Sequence, residues 1–173
     1  MNDETQPILP MKFAYRVTDT FYAGEYPFAK DKAEGIVKLQ RLLDFGIRHF
    51  VDLTEPVDRL TAYKPYLSDD CIYTRFPTTD VTVPDFKDLK KIHEIVSQSE
   101  GKVYVHCKGG YDRTGVVVAT YFIYAKQPIE QAKEQYIRTV PSKIRNRYLP
   151  AVPLIETNWN VLELYKKWLA GSP

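Results

Sequence analysis

The residues best suited to chemistry lie together in one segment, residues 106–115, which reads HCKGGYDRTG. Cys107 supplies a sulfur that is a strong nucleophile as the thiolate, and Arg113 supplies a planar cation that can hold two phosphate oxygens. A strand that runs through a glycine-containing loop into a helix directs backbone N–H groups and the positive end of the helix at one point. We therefore expect an anion site of phosphate size, in which these donors and Arg113 favour the thiolate of Cys107.

Hydrophobic periodicity predicts the elements that hold this segment. The run Lys102–His106 predicts a strand, and Arg113–Lys126 predicts a buried helix because it is apolar nearly all round. The other predicted strands are Phe13–Arg16, Thr20–Tyr22, Ile47–Leu53 and Cys71–Phe76, and the other predicted helices are Lys30–Phe45, one capped by Asp85, one beginning near Pro128 and one through Leu162, Tyr165 and Leu169. Strands alternate with helices, so we expect an α/β fold: a mostly parallel, twisted sheet of about four to five strands, flanked by helices.

The composition restricts the class of protein. The chain has 173 residues, a formal net charge of +2 and a hydrophobic fraction of 44%. These values fit one globular domain and exclude collagen-like, coiled-coil and largely disordered chains. The small net charge does not predict a nucleic-acid partner, and two cysteines cannot form a disulfide scaffold or a four-cysteine metal site. We expect a single catalytic domain over residues 1–173, with residues 1–10 as a flexible N-terminal tail.

The sequence also bears on the compartment. No apolar run reaches the roughly 18 residues that a membrane span requires. The first ten residues include Asp3 and Glu4 and lack the apolar run of a secretory signal. We therefore expect a cytoplasmic protein without a transmembrane segment.

The pattern Cys-x5-Arg-Thr preceded by His resembles the signature of the cysteine-dependent protein tyrosine phosphatase superfamily, and the chain length is similar to that of its small dual-specificity branch. The resemblance implies a phosphocysteine intermediate on Cys107, phosphate binding and transition-state stabilisation by Arg113, and no metal or cofactor. It also implies that Thr114 supports the leaving thiolate and that His106 supports Cys107 by hydrogen bonding. The loop that binds the substrate phosphate would comprise Lys108, Gly109, Gly110, Tyr111, Asp112 and Arg113.

Cleavage of a phosphate ester also requires a proton for the leaving oxygen, which a carboxyl group on a mobile loop would supply. The candidates are Asp80 and Asp85. The resemblance favours Asp80 for two reasons. The catalytic Asp of the family lies shortly before a helix that begins with Pro, and its separation from the nucleophile in the chain is similar to that of Asp80 from Cys107. Asp85 is explained more simply as the N-cap of that helix. We expect Asp80 to act as the acid in the first step and as the base in the second.

The substrate class stays open at this point. The dual-specificity branch implies a phosphorylated protein. However, Lys108 resembles the loop of the phosphatase and tensin homologue, and Asp112 before the arginine is similar to the myotubularin and Sac lipid phosphatases. A phosphoinositide or inositol-phosphate phosphatase is therefore the alternative. A catalytically silent module that binds phosphorylated partners is a further alternative.

The region after the signature offers little evidence about specificity. Arg138, Lys143, Arg145 and Arg147 fit either a basic rim or, more simply, a solvated face. The large tyrosine-specific members carry an aromatic recognition loop before the signature, and we find no counterpart of it here. We predict a shallow pocket, to which the segment Asn146–Tyr148 does not belong.

The second cysteine and two histidines complete the candidates. Cys71 heads a predicted strand, at a position similar to the cysteine that forms a reversible disulfide with the nucleophile in the phosphatase and tensin homologue. A buried structural thiol is the simpler interpretation, and a redox pair of Cys71 with Cys107 is the alternative. We interpret His49 and His93 as packing or surface residues, because no cysteine or carboxylate constellation surrounds them.

Overall fold

The fold is built on five strands: β1 (Ala14–Arg16), β2 (Phe21–Gly24), β3 (Ile47–Asp52), β4 (Ile72–Arg75) and β5 (Lys102–His106). The computed structural model, which describes residues 9–173, joins them in one sheet of order β1-β2-β5-β3-β4. β1 pairs antiparallel with β2, and the other pairs are parallel. The predicted α/β class with a mostly parallel sheet is confirmed.

Helices cover both faces of this sheet. They are α1 (Lys32–Asp44), α2 (Phe86–Gln98), α3 (Arg113–Tyr124), α4 (Ile129–Thr139), the single-turn α5 (Ser142–Arg145) and α6 (Asn160–Gly171). Asp31 and Asp85 are the N-caps of α1 and α2, because a side-chain oxygen of each accepts a backbone N–H of the first turn. The boundaries of the predicted strands and helices differ from the observed ones by only a few residues, and the single-turn α5 was not predicted.

Two hydrophobic clusters lie on opposite faces of the sheet. Val103 and Val105 of β5 belong to one cluster, and Tyr104 between them belongs to the other, as the alternation of side chains along a strand requires. Residues of α2, α3, α4 and α6 complete the first cluster. Leu39 and Leu42 of α1 contribute to the second.

The central strand and the most buried helix meet at the segment that the sequence singles out. β5 has β2 on one side and β3 on the other. α3 is buried over most of its surface and contacts α2, α4 and α6 as well as the sheet, as its apolar sequence predicts. The loop from β5 to α3 therefore begins at the middle of the carboxyl edge of the parallel strands, where ligands bind in open α/β sheets.

The two histidines that precede His106 in the chain have packing roles. His93 is fully buried on α2, where its Nδ1 lies 2.8 Å from the Tyr165 hydroxyl and its Nε2 lies 3.1 Å from the Val117 carbonyl oxygen. Burial lowers the pKa of His93 to about 3. His49 is half-buried, with its Nε2 2.8 Å from the Thr74 hydroxyl, and burial lowers the pKa of His49 as well.

The structure describes only part of the predicted N-terminal tail. Residues 1–8 lie outside the described residues, so the predicted tail over residues 1–10 can be assessed at Leu9 and Pro10 alone. Both are half-buried, and Leu9 packs against the core, so these two residues are not part of a free tail. Within residues 9–173, the structure contains no helix that is long and apolar enough to span a membrane.

Buried, neutral His93 should make the stability of the fold depend on pH. Its pKa is about 3 in the folded chain against an ordinary value of 6.5, so at lower pH the unfolded chain binds a proton that the folded chain excludes. The contribution of this group to the free energy of unfolding should fall by about 1.4 kcal/mol per pH unit between about pH 6 and pH 4. Urea unfolding of the wild type and His93→Gln over this range measures the effect. The free energy of unfolding of His93→Gln should depend less steeply on pH than that of the wild type. Equal slopes would contradict a lowered pKa of His93 in the folded chain.

Candidate active site

We call residues 108–113 the phosphate loop. Cys107 lies at the base of this loop, directly after β5. The residue is only 2% exposed, and α3 begins at Arg113 after the loop closes. The sulfur therefore lies between the carboxyl end of the central strand and the amino end of a buried helix. This is the strand, loop and helix arrangement that the sequence predicts for an anion site.

The carbonyl groups of the first half of the loop are fixed by surrounding elements. Four contacts hold them: Leu53 N–H to His106 O at 2.9 Å, His106 Nδ1 to Cys107 O at 3.2 Å, Tyr26 N–H to Lys108 O at 3.0 Å, and Arg147 Nη1 to Gly109 O at 2.8 Å. Among the described residues, no hydrogen bond uses the backbone N–H groups of residues 108–112. These groups remain available to an anion.

Gly110 is the position at which the loop requires glycine. Its φ of +68° lies in the left-handed region. A Cβ at this position would lie 2.5 Å from the carbonyl carbon of Gly24 and 2.7 Å from the nitrogen of Glu25. Because both of these atoms belong to the backbone at the end of β2, no side-chain rearrangement could relieve the overlap. The conformation and the close approach together explain the glycine.

Arg113 is buried and held by a carboxylate. Its Nη1 and Nη2 donate to the two oxygens of Asp58 at 2.9 and 3.0 Å, and Nη1 also donates to the Thr78 carbonyl at 3.0 Å. Burial alone would lower the pKa of the Arg113 guanidinium, but the hydrogen bonds to Asp58 and the charges of Cys107 and Asp80 raise it above its ordinary value. The cation is therefore permanent.

Two polar atoms next to the loop have no partner among the described residues. They are Nε of Arg113 and Oγ1 of Thr114, and both are fully buried. Buried polar atoms in folded proteins are nearly always hydrogen-bonded. The two unpartnered donors therefore mark a place where a bound ligand would complete the hydrogen bonding.

Asp58 is a site residue that the sequence analysis missed. It ends the 3₁₀ turn Pro56–Asp58 after β3, and its side chain is 5% exposed. Burial raises the pKa of Asp58, but the hydrogen bonds from Arg113 and the Glu55 N–H outweigh that effect, so the pKa is lowered overall. A carboxylate shortly after the carboxyl end of a buried parallel strand is the signal that could have identified it.

Asp80 lies at the mouth of the loop. Its Oδ1 is 3.3 Å from Arg113 Nη2, and its side chain is 59% exposed. Oδ1 also accepts the N–H of Val81, whose φ is +56°. Asp80 lines the same pocket as Cys107, whereas Asp85 caps α2. Of the two carboxylates considered as the acid, the fold brings Asp80 to the phosphate loop.

His106 is fully buried behind the loop. Its Nδ1 lies 3.2 Å from the Cys107 carbonyl oxygen and its Nε2 lies 2.6 Å from the Tyr63 hydroxyl. Because a carbonyl oxygen only accepts, these contacts assign the proton to Nδ1 and make Nε2 the acceptor from Tyr63. Burial lowers the pKa of His106, and the charge of Asp52 only partly opposes this effect. The neutral ring is placed to hold the Cys107 backbone.

The two loop residues that suggested a lipid substrate have different environments. Lys108 is exposed and lines the pocket. Asp112 is half-buried, and its Oδ1 accepts the Leu154 N–H at 2.7 Å. Burial raises the pKa of Asp112, and the charge of Asp80 adds to this effect. Asp112 therefore anchors a neighbouring segment, whereas the ammonium of Lys108 is accessible to a ligand.

The basic residues after the signature do not form a continuous rim. Arg145 pairs with Glu156, and Arg147 donates to the phosphate loop. Both side chains are half-buried, so neither belongs to a solvated face. Of the four basic residues, only Arg138 and Lys143 are exposed, as a solvated face requires.

The expectation that Asn146–Tyr148 lies outside the site is wrong. Tyr148 lines the same pocket as Cys107 and Lys108, together with Tyr111. The pocket has a volume of about 380 Å³. The sequence could not reveal this contact, because it depends on how the connection between α5 and α6 folds back over the loop.

The fold contradicts a disulfide between Cys71 and Cys107. Cys71 precedes β4, whereas Cys107 follows the carboxyl end of the parallel strand β5. Arg75 and His106 both pair with Asp52, so Cys71 lies about 13 Å further down the sheet than His106. The two cysteines also pack against different core clusters. A disulfide requires Cα atoms within about 7 Å, so Cys71 is a half-buried thiol in the second core.

The arrangement suits displacement at phosphorus. A sulfur nucleophile lies beneath free N–H donors, a buried guanidinium flanks it, and a carboxyl group stands at the open side. Such donors stabilise charge that develops on phosphate oxygens, and a carboxyl group can serve the leaving oxygen. Over residues 9–173 there is no group of three or more His, Cys, Asp or Glu side chains arranged to hold a metal ion.

Comparison with known protein families matches residues 28–127 to "Tc-R-P: Polymorphic toxin system, DSP-PTPase phosphatase". The match covers more than half of the chain and includes the whole phosphate loop. The chain belongs to this family. The resemblance to the dual-specificity branch of the cysteine-dependent tyrosine phosphatases is thereby confirmed, and with it membership of that phosphatase superfamily.

Curated relatives extend the similarity over more of the chain. The phosphatidylglycerophosphate phosphatase PTPMT1 of Arabidopsis thaliana is 27% identical over 158 residues, which are 87% of this chain and 42% of that protein. PTPMT2 of the same plant is 26% identical over 133 residues, which are 75% of this chain and 55% of that protein. The chain thus spans about half the length of these two relatives.

Solved structures share the fold. Kinase associated phosphatase, crystallised with its catalytic-site cysteine replaced by serine, aligns with a TM-score of 0.73 at 17% identity over 93% of this chain and 96% of that chain. A solved structure of a protein named PTPMT1 aligns with a TM-score of 0.66 at 22% identity over 92% of this chain and 100% of that chain. TpbA of P. aeruginosa in complex with pTyr aligns at 0.59 and 19% identity over 94% of each chain.

Removing the carboxylate that pairs with Arg113 should destabilise the protein strongly. In Asp58→Asn the buried guanidinium loses its counter-charge, and we expect a loss of about 3 kcal/mol in the free energy of unfolding at pH 7. Asp70→Asn is the matched control, because Asp70 pairs with Arg48 at the exposed surface, where solvent screens the attraction, so its loss should be much smaller. Urea unfolding of both variants measures the difference, and equal small losses would contradict the buried pair.

The same variant tests the pH dependence of this pair. Because the pKa of Asp58 is lowered in the folded chain, its stabilisation is present above the ordinary carboxyl value of 3.8 and is lost as the pH falls through the lowered value. The difference in stability between the wild type and Asp58→Asn should therefore shrink as the pH is lowered below about 4. A difference that does not change with pH would show that Asp58 does not stabilise through its charge.

Proposed function

We propose that this protein hydrolyses phosphate monoesters through a phosphocysteine intermediate on Cys107. The observation that carries the proposal is a set of donors around this sulfur that have no hydrogen-bond partner among residues 9–173. It comprises the N–H groups of residues 108–112, the Nε of Arg113 and the hydroxyl of Thr114. The N–H groups and the Nε can serve the oxygens of one phosphate group, and the Thr114 hydroxyl can serve the sulfur. Membership of the phosphatase family supports the same reaction.

In the first step, the Cys107 thiolate attacks phosphorus in line, so that the S–P bond forms as the ester P–O bond breaks. Asp80 gives its proton to the departing oxygen. Arg113 holds two phosphate oxygens through Nε and through the Nη2 group that contacts Asp80 in the free protein. Asp80 enters this step with a proton, which its 59% exposed side chain can exchange with solvent.

In the second step, water attacks the phosphocysteine. Ionised Asp80 accepts a proton from this water as the new O–P bond forms and the S–P bond breaks. The Thr114 hydroxyl donates to the departing thiolate, and His106 keeps the Cys107 carbonyl in place. Inorganic phosphate leaves, and neither step uses a metal or a cofactor. A reducing compartment such as the cytoplasm would keep the thiol active.

We favour phosphorylated protein side chains as substrates, phosphotyrosine among them. Among the described residues that line the pocket, Lys108 is the only lysine, and Asp80 and Asp112 add two carboxyl groups. This balance does not produce the strongly positive mouth that a headgroup with several phosphates would favour. TpbA, which shares the fold, binds pTyr.

A phosphomonoester on a lipid is the second candidate. The specific observation in its favour is that Lys108 is exposed in the pocket and could hold a second phosphate. The two Arabidopsis thaliana relatives are phosphatidylglycerophosphate phosphatases, and a solved structure of a protein named PTPMT1, 22% identical to this chain, is a complex with PI(5)P.

Phosphate release from a substrate panel tests the proposed function. The panel contains phosphotyrosine peptides, phosphoserine and phosphothreonine peptides, and soluble phosphatidylglycerophosphate and phosphoinositides, all assayed in EDTA. We expect release from the peptides, and we expect Cys107→Ser to reduce it to the background rate because the oxygen nucleophile is far less reactive. Preference for the lipids would replace the first candidate by the second. Tight phosphopeptide binding without any release would instead indicate a binding module.

The role of Asp80 is tested by its isosteric amide. Asp80→Asn should lower kcat about 10²–10⁴-fold for alkyl phosphates, because the leaving alkoxide then receives no proton. The loss should be smaller for a nitrophenyl phosphate, whose leaving group needs no proton. Asp85→Asn is the matched control and should leave the leaving-group dependence unchanged. Equal losses for both classes of ester in Asp80→Asn would exclude Asp80 as the acid.

A further inference from the structure

The connection between α5 and α6 lies across the phosphate loop. We call residues 146–154 the rim segment. Three hydrogen bonds join it to the loop: Arg147 Nη1 to Gly109 O at 2.8 Å, the Tyr111 hydroxyl to Ala151 O at 2.8 Å, and Leu154 N–H to Asp112 Oδ1 at 2.7 Å. The contacts are spread along the whole rim segment. Its position is therefore determined by the same loop that would bind phosphate.

Two further contacts of Arg147 hold the start of the rim segment. Its Nη2 lies 3.4 Å from a carboxylate oxygen of Glu25, and its guanidinium carbon lies 3.9 Å from the centroid of the Phe13 ring. A guanidinium over an aromatic face adds to the attraction of an ion pair. Movement of Arg147 would break all of these contacts at once. The next residue, Tyr148, is therefore held in place through the backbone.

The ring of Tyr148 is fixed on one side and open on the other. It meets the Tyr111 ring edge to face, with centroids 5.0 Å apart and planes at 81°. It also covers Gly109 so closely that a Cβ on that glycine would lie 2.7 Å from the Tyr148 hydroxyl. Nevertheless, Tyr148 is 47% exposed and lines the pocket above Cys107. A preformed aromatic surface thus faces the space that a substrate side chain would enter.

We propose that Tyr148 is a specificity-determining residue, which gives the pocket an aromatic wall for the aryl ring of phosphotyrosine. The proposal rests on the proposed function, because the phosphate must be held at Cys107 for the ring to reach this wall. Within residues 9–173, the pocket is lined by Cys107, the phosphate loop and Asp80, and beyond these only by Tyr148 and Ala151. The alkyl chain of phosphoserine carries no ring that could pack against Tyr148.

Two peptides that differ only in phosphotyrosine or phosphoserine test this wall. Tyr148→Ala should raise KM for the phosphotyrosine peptide about 2- to 10-fold, the range that aromatic packing supports, with little change in kcat. The values for the phosphoserine peptide should stay within about 2-fold, because that substrate does not use the ring. Tyr148→Phe should retain the preference. Leu149→Ala is the matched control, since Leu149 is the adjacent residue and is 69% exposed.

Inhibition by inorganic phosphate separates specificity from support of the loop. Phosphate contacts the loop but not the wall, so its inhibition constant should be the same in the wild type and Tyr148→Ala. If Tyr148 served only to hold the loop, phosphate inhibition would weaken and both peptides would suffer equally. That result would overturn the proposal, as would an increase in activity on the phosphotyrosine peptide when the ring is removed.

The wild-type values distinguish failure of this proposal from failure of the proposed function. If the wild type hydrolyses neither peptide, or prefers a soluble phosphoinositide to both, the protein-phosphatase assignment fails and the aromatic wall fails with it. If the wild type prefers phosphotyrosine and Tyr148→Ala keeps that preference, the proposed function stands and only the role of Tyr148 is overturned.

Discussion

The site depends on one constraint, which is that the loop after β5 must turn its N–H groups, and not its carbonyl groups, towards an anion. A peptide backbone carries both groups at nearly every residue, so something else must occupy the carbonyls. The donors that do so come from the end of β3, from the connection after β2 and from the rim segment. Gly110 fits only because it lacks a Cβ against the end of β2. The local geometry of the site is therefore a product of the whole fold.

The same constraint explains the buried charges. A site that binds dianionic phosphate in a protein interior needs a cation, and an unpaired buried guanidinium would cost several kcal/mol. Asp58 meets this need with a bidentate pair that still leaves the Nε of Arg113 unpartnered. Asp80 contacts Nη2 of the same guanidinium from an exposed position, where a proton can exchange with solvent. One carboxylate thus supports the cation permanently, and the other lies where a substrate would displace it.

The sequence predicted what is encoded locally. The strand, the loop, the buried helix, and the positions of Cys107 and Arg113 within them all follow from one short segment, and the alternation of strands and helices predicted the class of sheet. Contacts between distant segments could not be predicted. Asp58 and Tyr148 reach the loop through connections without periodicity. The alternative that paired Cys71 with Cys107 rested on an analogy of position in the chain. Such an analogy contains no information on strand register, and the register separates the two thiols along the sheet.

The central claim is that the sulfur of Cys107 becomes bonded to phosphorus during turnover. Acid quenching of Thr114→Ala during hydrolysis of an aryl phosphate, followed by mass spectrometry of its peptides, tests this claim most directly. Without the hydroxyl that supports the departing thiolate, the second step should be slow and the intermediate should accumulate. The account predicts one phosphoryl group on the peptide that contains Cys107, and none in the variant that also carries Cys107→Ser. Sustained turnover with no adduct, or an adduct on a different residue, would contradict it.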